Sequence, residues 1–351
     1  MAAYTAIDDV GSFFNTVLYT GNDGTGHAIT GAGFQPDITW IKNRDASDFH
    51  VFTDSVRGAT NYMKTDDGGA EITSAESLQS FDTDGFTVGN IAEINTNTED
   101  YVAWNWKGGT TSGITTDGST TITPSAYSFN QTAGISIIKY AGNSTSGAKV
   151  AHGLGVTPNM MIVKNIDAND TWTTYTDYTG NTKYLVLNTT AATDTQTNRW
   201  NDTSPDSVNL TVGNSTAVNN SGNDYLGLIF ANVQGFSRFG VYFGNSNVNG
   251  PLVYCGFRPA FIIIKRPNHT TDWQLFDSKR LGYNVDNNNL YPNLTNGEGT
   301  GDILDILSTG FKLRTADSAP NPVNGNTAPY VFFAFAESPF VNSESVPNNA
   351  R

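Results

Sequence analysis

Short apolar runs bounded by Gly, Asn, Asp and Pro recur along the chain, and no apolar stripe of helical period is sustained for more than about ten residues. Ile38 to Lys42, Met160 to Lys164 and Ala260 to Lys265 read as buried strands, each following a proline that sets a strand entrance: Pro36, Pro158 and Pro259. The run Phe332 to Ala336 is apolar at consecutive positions, which predicts a strand buried on both faces or lying at a contact between units. Turn dipeptides such as Asp67-Gly68, Asp84-Gly85, Asp117-Gly118 and Asn324-Gly325 separate these runs. Ala70 to Ser80 and Gly301 to Leu307 carry at most one to three helical turns. The pattern predicts an all-β chain of antiparallel strands.

The runs are copies of one unit. In each, a lysine follows the proline by six residues, giving Lys42, Lys164 and Lys265. Upstream stand Tyr19, Tyr140 and Tyr242, which lie 17, 18 and 17 residues before the proline. Downstream stand Tyr101, Tyr225 and Tyr330, which lie 65, 67 and 71 residues after it. These landmarks predict three tandem related antiparallel β-sandwich modules, jelly-roll or lectin-like, over residues 14–109, 134–231 and 239–338. Residues 110–133 between the first two read as a linker that packs, because apolar residues interrupt its Gly, Ser and Thr. Residues 232–238 leave little slack between the second and third. The tail 341–351 is polar and is either disordered or laid over a neighbour. Tandem copies either imitate a three-fold arrangement within one chain or form a bent rod.

Charge and composition narrow the chemistry. With 19 Lys+Arg against 33 Asp+Glu the net charge is -14, which argues against a partner held by phosphate neutralisation, so no nucleic acid is expected. One cysteine, Cys255, rules out an intrachain disulfide framework, and no apolar run is long enough for a membrane helix. The chain reads as soluble, with no transmembrane insertion. The four histidines, His27, His50, His152 and His269, show no metal-ligand spacing. No serine elbow or phosphate loop is present, so no enzyme activity and no cofactor are expected.

Four groups of residues remain as candidates. Asp54 and Arg57 in the first copy match Asp277 and Arg280 in the third, each aspartate twelve residues after the strand lysine; the second copy offers Asp177, at thirteen, and Gly180 in the arginine's place. Either this is a ligand site lost from the middle copy, or it is a turn whose carboxylate accepts backbone N–H groups while the guanidinium covers a loop. The strand lysines are expected to lay their stems on apolar surface with the ammonium in water. Trp172 and Trp273, in a place held by His50 in the first copy, are candidates for stacking on sugar rings or for completing a core or a module contact. Asp82, Asp84 and Asp224 lie in acidic turns and are weak calcium candidates; no metal site is expected from them.

The stretches GFQPDITWIKNR (Gly33 to Arg44), DSVRG (Asp54 to Gly58), SLQSFDTDGFTVG (Ser77 to Gly89) and YVAWNWKGG (Tyr101 to Gly109) together resemble a module of tail-associated and appendage proteins of marine bacteriophages. The likeness extends more weakly through Leu185 to Ser207 and Val253 to Arg266. It implies a virion structural protein at the particle surface or tail, a tail fibre or appendage part, assembling with itself and other virion proteins and touching the host. A carbohydrate-binding receptor-recognition protein and a capsid decoration protein are the alternatives. The resemblance carries over no catalytic residues.

Overall fold

A computed structural model describes residues 4–280, 284, 288–316 and 323–348. The fold is all-β, and among the described residues the named strands pair antiparallel, a single isolated bridge between Ile122 and Val150 being parallel. Each copy of the repeat builds one large sheet. The first has six strands, in the order Phe14–Thr20, Asp100–Trp106, Ile38–Asn43, Val51–Asp54, Asn61–Lys64 and Ile72–Thr73. The second has seven, in the order Ala126–Asn130, Ile135–Ala141, Asp224–Phe230, Met160–Asn165, Thr173–Thr176, Lys183–Val186 and Asp194–Thr195. The third has four, in the order Ser237–Phe243, Pro329–Pro339, Phe257–Lys265 and Gln274–Asp277. Among the described residues, smaller sheets of three, two and three strands accompany them.

Register shows how alike the copies are. Tyr19 pairs with Tyr101, Tyr140 with Tyr225 and Tyr242 with Tyr330, and the rings of each pair stack at 5.1, 5.3 and 5.1 Å. Lys42, Lys164 and Lys265 pair with Val102, Leu226 and Val331.

The central strands are buried on both faces because each large sheet packs twice. Ile41 and Ala103 face the small sheet of the first copy together with Ile29 and Phe86, while their neighbours Trp40 and Trp104 enter a second, shared core. Met161 and Val163 likewise face Val150 and Leu210, whereas Met160 and Ile162 enter the shared core. Side chains alternate between faces, so a strand with cores on both sides must be apolar throughout. In the shared core Phe335 of the third copy meets Phe14 of the first at 5.5 Å and Phe230 of the second at 5.8 Å. A void of about 40 Å³, lined entirely by apolar surface that includes Trp106, Phe230 and Phe335, remains there. It offers a water no polar partner.

Some expectations need correction. Pro36 and Pro158 precede their strands, but Pro259 lies inside Phe257–Lys265, where the register slips on both sides of it. A proline has no N–H for the ladder, so an interior position requires such an irregularity. Ala70 to Ser80 contains no helix; Ile72–Thr73 and the start of Leu78–Asp82 are strands. Leu304–Leu307 is also a strand, with Leu304 and Ile306 buried and their neighbours half-buried, a two-residue period. The α-helices among the described residues are single turns, at Ala92–Asn95, Thr197–Trp200 and Thr216–Asn219. Of the tail, 341–348 folds back against the third copy, with Asn348 Nδ2 donating to Ser308 O at 3.1 Å; 349–351 lie outside the described residues.

Candidate functional site

The repeated polar residues are the natural place to look for a site. Lys42, Lys164 and Lys265 end the central strands, where the following loop folds over them, and all three are fully buried. Lys42 Nζ donates to Asn43 O at 2.6 Å and Ala46 O at 3.1 Å; Lys164 Nζ repeats this on Asn165 O at 2.6 Å and Ala168 O at 3.2 Å. Lys265 Nζ donates to Thr271 O and, across to the second copy, to Thr190 O at 2.9 Å. The expectation of ammonium groups in water is overturned: carbonyls take the place of solvent. Burial lowers each lysine to about 8, more strongly than nearby carboxylates raise Lys42 and Lys164. A lysine this easily neutralised is chemically able to act as a nucleophile, but these three are sealed beneath their loops.

At the corner after the next strand, Asp54 Oδ1 accepts the backbone N–H of Arg57 at 2.9 Å and Oδ2 accepts Nε at 2.6 Å. The third copy is the same: Asp277 Oδ1 accepts the Arg280 N–H at 3.0 Å and Oδ2 accepts Nε at 2.6 Å. The guanidinium groups reach on to Glu71 and Glu298, and their side chains are almost wholly shielded. Neither pair offers a free edge to a ligand. In the second copy, Thr176 occupies the register position of the aspartates, since Met160 pairs with Thr176 as Ile38 pairs with Asp54 and Phe261 with Asp277. Its hydroxyl accepts the Thr179 N–H at 3.1 Å and lies 3.0 Å from the Thr179 hydroxyl. Asp177 and Gly180 are therefore not the counterparts of the aspartate and arginine. Asp177 corresponds to Ser55 and Gly180 to Gly58, as the amide bonds from Gly58 to Asp54 O and from Gly180 to Thr176 O show.

Trp172 and Trp273 are fully buried, which removes both as ring faces for a sugar. Each joins its own copy to the preceding one. Trp172 Nε1 donates to Lys64 O at 3.0 Å and Asp67 O at 3.1 Å, and Trp273 Nε1 donates to Val186 O at 3.0 Å. His50, in the equivalent place, lies against the backbone of Tyr291 in the third copy and accepts the Trp40 indole N–H at Nδ1, 3.0 Å. The junction between first and third copies also holds Thr65 Oγ1 on Pro292 O, Arg44 paired with Glu298 at 2.8 Å, and Trp104 Nε1 on Asp277 Oδ2 at 3.1 Å. Each copy thus touches both others, which is the closed arrangement and not a bent rod.

The acidic turns do not converge. Asp82 accepts the hydroxyls of Ser80 and Thr87 and Asp84 accepts the Gly33 amide at 2.6 Å, while Asp224 pairs with Lys139 at 3.0 Å within the second copy. Among the described residues no three His, Cys, Asp or Glu side chains are grouped to hold a metal. Cys255 is buried and its thiol is pushed far up by desolvation, which keeps it an unreactive apolar group.

One repeated residue was missed from sequence. Asn95, Asn219 and Asn324 are completely buried. Their Nδ2 groups donate to Gly89, Gly213 and Thr315 O, and their Oδ1 atoms accept the amides of Asn22, Asn143 and Asn245. Each pins the loop after the upstream tyrosine. The signal was available: all three precede the downstream tyrosine by six residues.

A family described as a domain of unknown function (DUF7483) matches residues 9–339, and the chain belongs to that family. No curated protein and no solved structure matches the chain.

Proposed function

We propose that this member of the DUF7483 family is a non-enzymatic structural protein of a bacteriophage virion, a tail or surface component that assembles with itself or with other virion proteins and serves host contact. The observation that carries the reading is that the repeated polar chemistry faces inward. Lysines, Asp/Arg corners, tryptophans and asparagines are buried and satisfy one another or the backbone. That use of polar groups suits a rigid building block better than a catalyst, whose reacting groups must meet substrate. The resemblance of the landmark stretches to phage appendage modules supplies the setting. No helix among the described residues is long and apolar enough to cross a membrane. The carbohydrate-binding alternative has lost its two tryptophans.

The test is to purify phage particles whose genome carries this gene, detect the chain by mass spectrometry and locate it by cryo-EM. Density at the tail or capsid surface is the expected result. Deletion giving no particles supports assembly, and intact particles that fail to adsorb support host contact. Absence of the chain from purified particles would overturn the reading.

A further inference from the structure

The seams between copies repeat as the copies do, with one exception. Glu71 N–H donates to Ile166 O at 2.8 Å, Thr193 N–H to Pro267 O at 2.7 Å and Glu298 N–H to Arg44 O at 2.7 Å. Each acceptor stands two residues after a strand lysine, so Glu71, Thr193 and Glu298 are equivalent. At two seams the corner arginine meets the acid, Arg57 pairing with Glu71 at 2.8 Å and Arg280 with Glu298 at 3.4 Å. In the second copy Thr179, three residues after Thr176, holds the arginine's position. Where the second and third copies meet, two threonines therefore replace a guanidinium and a carboxylate.

The smaller side chains leave a pocket of about 160 Å³, lined by both threonines and by Tyr178, Lys183, Pro267, Asn268 and Pro329. Tyr178 is 42% exposed, and its place is taken by Val56 in the first copy and Lys279 in the third. Its hydroxyl and the Lys183 ammonium bond to no other group among the described residues. Asn268 accepts Arg266 Nε at Oδ1 and keeps its amide N–H groups. In the other copies Arg44 N–H donates to Asp100 O at 2.8 Å and Ile166 N–H to Asp224 O at 2.9 Å. Pro267 has no N–H, so Pro329, in the same register position, keeps a carbonyl without that donor.

Hydroxyl, ammonium, amide and carbonyl groups thus surround two proline rings and a phenol. Such a lining suits a ligand that exchanges hydrogen bonds at its rim and presents C–H groups on one face, as a pyranose does. No carboxylate or guanidinium lines the pocket. Asp177 and Asp194, next in the chain to Tyr178 and Thr193, disfavour an anion.

We propose that this pocket binds one neutral pyranose residue of a glycan, with its C–H face on Tyr178 and its hydroxyls on Lys183, Asn268 and Thr193. Tyr178 supplies the ring that the buried tryptophans cannot. The site gives host contact a ligand class, and it rests on that reading only for the source of the glycan.

The probes are the methyl glycosides of glucose, galactose, mannose and N-acetylglucosamine, titrated into the full chain and followed by saturation-transfer-difference NMR. Saturable binding of at least one is expected. Tyr178→Ala should weaken it at least about tenfold, whereas Tyr254→Ala, at a more exposed tyrosine of the third copy, should leave it unchanged. Thr179→Arg together with Thr193→Glu rebuilds the ion pair of the other seams and should abolish binding while the thermal melt is kept. Saturable binding of none of the four, or binding that survives both Tyr178→Ala and the double variant, would overturn the proposal. The titration uses the isolated chain, so its failure leaves the virion reading standing, and absence of the chain from particles leaves the titration standing.

Discussion

The corners of the first and third copies and the corner of the second do the same backbone work with different chemistry. Asp54 with Arg57 and Asp277 with Arg280 cap the turn with a buried ion pair, whereas Thr176 with Thr179 caps it with two hydroxyls. The position that accepts the turn's N–H is constant; the charge is not. The lesson is that the turn needs an acceptor, while the guanidinium answers the carboxylate and reaches a further acid in Glu71 or Glu298. Each pair is hydrogen-bonded and almost dry, so losing one partner should hurt far more than replacing both.

The largest expected effect comes from breaking a pair. Arg280→Ala leaves Asp277 buried and charged, and should destabilise the chain by about 3–5 kcal/mol in a denaturant titration. Trp273→Ala should rank beside it, at about 3–5 kcal/mol, because it empties a fully buried indole and breaks its bond to Val186 O. If Trp273→Ala proved neutral, the junction would not depend on that indole. Copying the second copy into the first, with Asp54→Thr and Arg57→Thr together, should recover most of the stability lost in Arg57→Ala, leaving a deficit of about 1–2 kcal/mol. A double variant as unstable as Arg57→Ala would show that the two corners are not interchangeable. The reciprocal loss, Thr176→Val, removes one acceptor and should cost about 1 kcal/mol.

A separate group of effects is read through pH. Lys42, Lys164 and Lys265 are lowered by burial from 10.5 to about 8, so between these values the unfolded chain binds more protons than the folded one. Their contribution therefore rises as pH increases from about 8 towards 10.5, until ionisation of tyrosine in the unfolded chain opposes it from about 10, Tyr101 and Tyr225 being raised by burial to about 12. Lys164→Met should flatten that rise in melts at pH 7.5, 8.5 and 9.5. On the acid side, His50 is held well below its usual 6.5 by burial and by the nearby Lys42 charge, so its contribution falls as pH drops below 6.5. Asp66, pushed up to about 7 by burial, works in the opposite sense between 3.8 and 7. Asp66→Asn should remove that offset and steepen the loss of stability on acidification; an unchanged slope would place Asp66 outside the balance.

Much of this fold was legible in the residues, for local reasons. Continuous apolar runs at Met160 to Lys164 and Phe332 to Ala336 indicated strands with two buried faces, and such strands are what the sheets contain. The corner was half legible. Residue type led to Asp177, one position too far, because a lone aspartate looks like an aspartate's counterpart until strand pairing fixes the count at Thr176. Gly180 was misread with it. The asparagines were visible in spacing but hidden by their chemistry, since asparagine is common in exposed turns and only burial distinguishes these three.

What the sequence determined by itself was period and punctuation: alternation, turn residues and three repeats of a landmark order, all of which are properties of neighbours along the chain. Which way the repeated tryptophans and lysines face was decided only when the three large sheets met in one core. A side chain's exposure depends on what packs against it from far away in sequence, and Lys265 on Thr190 O or Trp172 on Lys64 O are contacts that no local pattern encodes.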